Sequence, residues 1–146
     1  MLLLTGLTAA LLILDENRQE LRKLALTDAL TGIYNRHGFD KHVTVYMKKY
    51  PEKHCVGVQF DIDDFKLIND IYGHASGDKA LQILAESMRK FFPDHAVLGR
   101  NGGDEFCIFL PDCTCKEAEE KLVQFTKQKR FFVYEGEERA FNISLG

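Results

Sequence analysis

Hydrophobic and polar side chains alternate between Cys55 and Ile62, and this pattern predicts a β-strand. Successive side chains of a strand point to opposite faces of its sheet, so every second residue shares a face. One face is apolar and contains Val56, Val58, Phe60 and Ile62. The opposite face contains Gly57, Gln59, Asp61 and Asp63. The apolar face should pack on helices, whereas the other face should stay open and become acidic toward its end.

The rest of the chain predicts four helices, a β-hairpin and two closing strands. The expected helices cover roughly residues 15–29, 36–49, 79–92 and 116–129. The expected hairpin strands cover residues 96–98 and 106–110, and the closing strands cover residues 130–134 and 139–145. Helices that alternate with hairpin strands are typical of the α+β class, so we expect a central, mainly antiparallel sheet flanked by helices.

The N-terminal segment has apolar residues at heptad spacing. The seam consists of Leu4, Leu7, Leu11, Leu14, Leu21 and Ala25, and Arg18 interrupts it. Such a seam predicts a parallel coiled coil between two chains. The alternative is a helix with a frayed start that packs on its own domain.

Residues 1–14 carry no charged side chain and are mostly apolar. The stretch is shorter than the about 20 residues that a membrane-spanning helix needs. It also lacks the basic start and the small-residue cleavage site of a secretory signal. Two interpretations stay open, namely the end of a membrane segment and a soluble signalling helix.

Length and composition indicate a single domain. With 146 residues, 45% of them hydrophobic, the chain can bury one core. The net charge of −3 provides no basic patch, so nucleic acid is not an expected partner. The four cysteines include no Cys-x-x-Cys pair, which argues against zinc, and a reduced, cytoplasmic setting fits them best.

Two glycines followed by two carboxylates mark the tip of the predicted hairpin. Gly102 and Gly103 permit positive φ angles and let a ligand approach the bare backbone. Asp104 and Glu105 follow at once, and such a pair can hold a hard cation that in turn holds phosphates. The tip therefore suits a nucleoside triphosphate and its Mg²⁺. An ordinary hairpin turn with acidic neighbours is the structural alternative.

A second acidic cluster lies where the strand at Cys55–Ile62 ends. Asp61, Asp63 and Asp64 repel one another, so a positive group is expected among them. Lys66 is near in sequence, and a divalent cation is the stronger candidate. The alternative is a solvated strand end whose aspartates cap the next turn.

Asn69 and Asp78 are candidates for reading a guanine base. An amide both donates and accepts hydrogen bonds, and a carboxylate accepts them, which matches the donors and acceptors of the guanine edge. Both residues belong to a polar segment with glycines at positions 73 and 77. The alternative is that Asn69 stabilises a turn and Asp78 caps the helix predicted at 79–92.

Three blocks of the chain, taken in order, resemble the GGDEF domain family of diguanylate cyclases. They are DALTGIYNR at residues 28–36, FDIDDFK at residues 60–66 with the Asn69, Gly73-His74 and Gly77-Asp78 positions after it, and GGDEF at residues 102–106. The resemblance extends over residues 28–146 and implies a fold like those of polymerase palms and nucleotide cyclases. Members of the family join two GTP molecules into cyclic di-GMP and release pyrophosphate twice.

The resemblance also implies a role for each candidate residue. The implied ligands of Mg²⁺ (or Mn²⁺) are the side chains of Asp61 and Asp104 and the carbonyl of Ile62. Asp104 or Glu105 would help to deprotonate the attacking 3′-hydroxyl. By the same resemblance, Asn69 and Asp78 would bind the guanine base of GTP. The backbone amides near Asp64 and Phe65, together with Lys66, would bind the phosphates. Gly102 and Gly103 would let the hairpin backbone pass close to the nucleotide.

A product with two equivalent halves implies a homodimer. A domain that binds one GTP must meet a second domain through its active-site face. Residues 1–27 would form the signalling or coiled-coil helix, and residues 28–146 the GGDEF domain. Membrane anchoring of the full-length parent is compatible with this division. The alternative function is a catalytically inactive regulatory module that binds GTP or a protein partner.

The chain departs from the family pattern in two places. In the family, a loop, a helix and a last strand follow the position of Gly146 and bring a lysine and an arginine to the triphosphate. We therefore expect residues 1–146 to lack those contacts. The family's product-inhibition motif, Arg-x-x-Asp, has Pro93 and Ala96 at its two ends here, so feedback inhibition at that place is not expected.

Overall fold

The computed structural model describes the whole chain, residues 1–146. Five helices are present: α1 (Leu2–Leu26), α2 (Arg36–Lys49), α3 (Phe65–Tyr72), α4 (His74–Phe91) and α5 (Cys115–Thr126). Seven strands are present: β1 (Tyr34–Asn35), β2 (Cys55–Ile62), β3 (Val97–Gly102), β4 (Glu105–Pro111), β5 (Arg130–Tyr134), β6 (Glu137–Phe141) and β7 (Ile143–Leu145).

Five strands form one sheet in the order β1-β3-β4-β2-β7. Every neighbouring pair is antiparallel except β1 and β3, which run parallel. Strands β5 and β6 form a separate two-stranded sheet. The expected α+β fold, with a mainly antiparallel central sheet flanked by helices, is confirmed.

The core lies between one face of the sheet and helices α4 and α5. Phe60 and Ile62 of β2 are each 2% exposed, and the next residue along the strand from Phe60, Asp61, faces solvent. Phe60 stacks on Phe106 of β4 with ring centroids 5.9 Å apart and meets Phe125 of α5 edge-on at 6.1 Å. This packing holds β2 and β4 rigidly side by side, and the ends of these two strands carry the candidate carboxylates.

Helix α1 begins at Leu2 and ends at Leu26, so it covers nearly the same residues as the helix expected over 1–27 and starts well before the range 15–29. None of its residues is buried, and it meets the domain at its C-terminal end, where the carbonyl of Ala25 accepts a hydrogen bond from the Asn35 side chain. Leucines at positions 7, 11, 14 and 21 are all more than half exposed. No helix of the chain combines the length and apolar character that crossing a membrane requires.

The segment before α4 contains a helix that the sequence pattern did not predict. Residues Phe65–Tyr72 form α3, and Gly73, with φ 84° and ψ 161°, joins it directly to α4. Helix α4 therefore starts at His74, earlier than the predicted residue 79, and Asp78 lies inside its first turns. The alternative role of Asp78 as a helix cap is wrong, because the N-cap position belongs to Gly73.

The predicted final strand at 139–145 is divided at Asn142. Strand β6 pairs with β5, whereas β7 leaves that hairpin and pairs with β2 in the central sheet. Helix α5 ends at Thr126, earlier than predicted, and residues 127–129 lead into β5. The division matters for the site, because it brings Ser144 to the edge of β2 beside the acidic cluster.

Candidate active site

The register of the sheet brings the two acidic clusters together at one end. Asp61 of β2 is the cross-strand partner of Glu105 of β4, and on its other side it pairs with Ser144 of β7. Directly paired residues share a face of the sheet, with Cβ atoms about 5 Å apart. Asp104 stands one residue before β4 begins. The clusters are separated by about forty residues in sequence, yet they form one acidic edge.

The tip of the β3–β4 hairpin has the backbone that its glycines predict. Gly102 has φ 121° and Gly103 has φ 53°, and a bulge interrupts the register between Arg100 and Gly102. A Cβ atom added at either glycine would meet no atom within 4 Å. The glycines are therefore required by backbone conformation rather than by crowding, and they leave bare backbone open to a ligand.

Arg100 connects this tip to the start of the domain. Its Nε and Nη2 atoms donate to the carbonyl of Gly103 at 2.9 and 2.7 Å. Its Nη1 donates to both carboxylate oxygens of Asp28 at 2.9 and 3.1 Å. The two side chains are only 13% and 20% exposed. The hairpin tip is thus attached to the turn that follows α1.

Asp28 also organises that turn. Its Oδ2 accepts hydrogen bonds from the amide and the hydroxyl of Thr31, at 2.9 and 2.6 Å. Burial raises the pKa of Asp28, but the hydrogen bonds from Thr31 and Arg100 outweigh burial and hold this pKa below its ordinary value. Sequence reasoning assigned no role to Asp28 or Arg100. The Asp-x-x-Thr spacing of a side-chain-capped turn was a local signal for the first of them.

The turn from β2 into α3 forms the second wall of the site. Asp63 accepts a hydrogen bond from the Ser144 hydroxyl at 2.5 Å, and its amide donates to the carbonyl of Asn142 at 3.0 Å. Asp64 occupies the N-cap position in the left-handed region, with φ 52°, and its side chain makes no capping hydrogen bond. The alternative in which this carboxylate caps the helix is wrong. The first amides of α3, at Phe65 and Lys66, consequently have no partner within the helix.

Asn69 lies on α3 and Asp78 lies on α4, on either side of the junction at Gly73. Asn69 is half-buried on α3 and Asp78 is exposed on α4. The Asn69 amide group lies against the Cα atom of Gly77, the residue that precedes Asp78. Their side-chain polar atoms make no hydrogen bond within the chain, so both are available to a ligand.

The donors at the acidic edge suit a magnesium ion that shares its coordination with a substrate. No group of three or more His, Cys, Asp or Glu side chains forms a complete metal cage. Mg²⁺ is commonly held by one or two carboxylates together with phosphate oxygens and water. Asp61, Asp104 and the carbonyl of Ile62 fit that description. Asp63 fits less well, because the Ser144 hydroxyl already occupies one of its oxygens.

The family profile described as "Diguanylate cyclase, GGDEF domain" matches residues 25–146. The chain belongs to the GGDEF domain family. It is 39% identical over 109 residues to the probable diguanylate cyclase DgcE of Escherichia coli, covering 70% of this chain and 10% of that protein. It is 38% identical over 109 residues to a diguanylate cyclase of Vibrio cholerae, covering 73% of this chain and 34% of that protein.

Other relatives have different names. The cyclic di-GMP phosphodiesterase NbdA of Pseudomonas aeruginosa is 37% identical over 118 residues, which is 80% of this chain and 15% of that protein. The chain therefore spans only a small part of the curated relatives that it matches. A GGDEF domain occurs here in proteins whose names describe synthesis and in one whose name describes degradation of cyclic di-GMP.

Solved structures agree with the fold. The coiled coil and GGDEF domain of DgcB from Caulobacter crescentus, in complex with c-di-GMP, superimposes with a TM-score of 0.87 at 25% identity. The match covers 98% of this chain and 78% of that one. Diguanylate cyclase SiaD of Pseudomonas aeruginosa, crystallised with its activator SiaC, has a TM-score of 0.78 at 27% identity, over 98% of this chain and 59% of that one.

Proposed function

We propose that this GGDEF domain is a diguanylate cyclase module that condenses two GTP molecules into cyclic di-GMP. The observation that carries the proposal is the pairing of Asp61 with Glu105 in the ladder, next to Asp104 and the glycine tip. This pairing joins an acidic strand end to a bare backbone loop, the combination that a metal-bound triphosphate requires. The names of the DgcE and Vibrio cholerae relatives support the same activity.

Substrate binding is assigned to three parts of the site. Asn69 and Asp78 read the guanine edge, because their side-chain groups have no hydrogen-bond partner within the chain and they lie on the two helices that meet at Gly73. Phosphate oxygens accept hydrogen bonds from the first amides of α3, near Asp64 and Phe65, where the helix dipole also favours negative charge. Lys66 adds a positive side chain at the same turn. Gly102 and Gly103 let the hairpin pass close to the nucleotide.

The chemical step requires charge neutralisation and alignment rather than a covalent intermediate. The 3′-hydroxyl oxygen of one GTP attacks the α-phosphorus of the other, and the bond to pyrophosphate breaks. Asp104 or Glu105 accepts the hydroxyl proton. Asp61, Asp104 and the Ile62 carbonyl would hold Mg²⁺ (or Mn²⁺), which would supply neutralisation of the phosphate charge. A second, equivalent transfer closes the ring.

The site is open, which supports a homodimer as the catalytic unit. Asp61, Glu105 and the two tip glycines are all exposed to solvent. One domain presents one GTP, so the attacking hydroxyl must come from a second domain that meets it face to face. The free cysteines are compatible with a cytoplasmic location for this unit.

Helix α1 is assigned to pairing of the two domains. Its seam leucines are exposed, and no part of its own domain covers them. An exposed apolar stripe at heptad spacing is typically buried against the same stripe of a second copy. A parallel coiled coil formed in this way would bring the active-site faces of the two domains together. Residues 1–14 remain compatible with attachment of a longer parent to a membrane.

Two adjacent leucines test the coiled coil. Leu11 lies on the seam and is 57% exposed, whereas Leu12 lies one position off the seam and is 65% exposed. We expect Leu11→Glu to weaken dimerisation at least about tenfold, because it places a charge in the apolar seam. Leu12→Glu should leave the dimer intact. Sedimentation equilibrium measures both, and equal weakening by the two variants would contradict a coiled coil in this register.

The activity itself is tested by mass detection of cyclic di-GMP. The chain, and in parallel the full-length protein, is incubated with GTP and MgCl₂. Cyclic di-GMP from either supports the cyclase. Tight Mg²⁺-dependent GTP binding without product, at a concentration where the dimer forms, would favour a regulatory GGDEF module instead. Neither product nor binding in both forms would overturn the proposal.

A further inference from the structure

Gly77 is a glycine in the first turn of α4 whose backbone angles do not explain its presence. It lies inside α4 and is buried, and its φ angle is not in the positive region where glycine is needed. Glycine inside a helix is less favourable than alanine, so a helical glycine with ordinary backbone angles indicates a packing requirement.

The packing requirement is the side chain of Asn69. A Cβ atom built on Gly77 would lie 1.9 Å from Asn69 Oδ1 and 2.9 Å from its Cγ. A third neighbour, Cε2 of Phe65, would be 3.3 Å away. The Asn69 amide group therefore occupies the space that any side chain at position 77 would need.

The backbone around this contact is tied together. The Gly73 amide donates to the carbonyl of Asn69 at 2.9 Å, and the Gly77 amide donates to the carbonyl of Gly73 at 3.2 Å. These two hydrogen bonds connect the three positions across the α3–α4 junction. A methyl group at position 77 would consequently displace the Asn69 side chain rather than separate the helices.

We propose that Gly77 is a specificity-determining positioning residue for the base of the substrate. Its missing side chain lets the Asn69 amide occupy the space at position 77, one residue before Asp78, from which both groups would address one guanine edge. Gly77 touches no substrate atom itself and acts only through Asn69. This inference rests on the proposed function, in which Asn69 and Asp78 recognise GTP.

Nucleotide selectivity tests the inference. Dissociation constants of GTP and ATP are measured by calorimetry with Mg²⁺ for the wild type, Gly77→Ala, Asn69→Ala and the double variant. We expect Gly77→Ala to lower the preference for GTP over ATP at least about tenfold, as far as Asn69→Ala does. The double variant should lower the preference for GTP no further than Asn69→Ala alone, because the amide group that Gly77→Ala displaces is already absent. Gly57→Ala is the control, since a Cβ atom there meets nothing within 4 Å.

Thermal unfolding of the same variants separates displacement of Asn69 from loss of the fold. In the Asn69→Ala background the new methyl group meets only Cε2 of Phe65, at 3.3 Å, so Gly77→Ala should raise Tm by up to about 3 °C through helix propensity. In the wild-type background the rise should vanish or reverse. An equal rise in both backgrounds would overturn the inference.

The measured selectivities separate guanine recognition by Asn69 and Asp78 from the positioning role of Gly77. A wild type without preference for GTP would overturn guanine recognition and the inference with it. A preference that Asn69→Ala removes and Gly77→Ala retains would overturn the role of Gly77 alone.

Discussion

Asp61→Ala and Asp104→Ala should each lower the rate of cyclic di-GMP formation by about a thousandfold while leaving the fold intact. Both carboxylates lie at the acidic edge, where they oppose no internal cation and contribute nothing to the core. In the proposed function, each substitution would remove a carboxylate that holds the metal and thereby helps to align the α-phosphate. Initial rates at saturating GTP and MgCl₂, together with circular dichroism, measure the effect.

Asp94→Ala is the matched control for these variants. Asp94 is an exposed aspartate in the turn between α4 and β3, away from the acidic edge, and its removal changes the net charge by the same amount. We expect it to retain wild-type activity. Calorimetry adds a second readout, because Asp61→Ala and Asp104→Ala should abolish the Mg²⁺ dependence of GTP binding. Undiminished product formation by either variant would remove that residue from the metal site.

Asp28→Asn should destabilise the domain by about 2–3 kcal/mol, the largest stability effect that we expect from a single side chain outside the core. The change keeps the size of the side chain but removes the charge that Arg100 faces. Arg100 would then hold an uncompensated guanidinium that is only 13% exposed. Urea unfolding followed by circular dichroism measures the difference.

The Lys53–Asp112 pair supplies the comparison. Its N–O distance of 2.9 Å equals that of the Arg100–Asp28 pair, but its side chains are 47% and 65% exposed. Asp112→Asn should therefore cost less than about 1 kcal/mol. Equal losses of unfolding free energy in Asp28→Asn and Asp112→Asn would show that burial of the Arg100–Asp28 pair adds nothing to the stability of the domain.

The same pair predicts an acid dependence. Because hydrogen bonds lower the pKa of Asp28 in the folded chain, its carboxylate stabilises the fold above the unfolded pKa of about 4. That stabilisation is lost as the pH falls through the lower, folded value. The difference in unfolding free energy between the wild type and Asp28→Asn should accordingly become smaller as the pH is lowered. A constant gap would mean that the charge is not responsible.

The elements that carry strong local signals were predictable. Strand β2 has strict alternation, and its observed bounds and faces match the prediction. Helix α2 has the predicted bounds, because Asn35 caps its start through the Gly38 amide and the segment before Pro51 ends it. The glycine tip of the hairpin has the positive φ angles expected of it. In each case the decisive interactions lie within a few residues.

Elements that depend on distant partners were not predictable in the same way. Helix α3 is a different case, because Phe65, Ile68 and Tyr72 recur at helical spacing and pack on the core, a local signal that the prediction overlooked. The final strand divides because β7 finds a partner in β2, more than eighty residues earlier.

The sequence by itself determined the family, the α+β class and the identity of the candidate carboxylates and guanine-reading residues, because these follow from short motifs and alternation. Only the tertiary structure decided how they are held. The ladder pairs Asp61 with Glu105, Arg100 joins the hairpin to Asp28, and Gly77 makes room for Asn69. Each of these depends on the path of the backbone between the partners, and no local pattern encodes a contact between residues that only folding brings together.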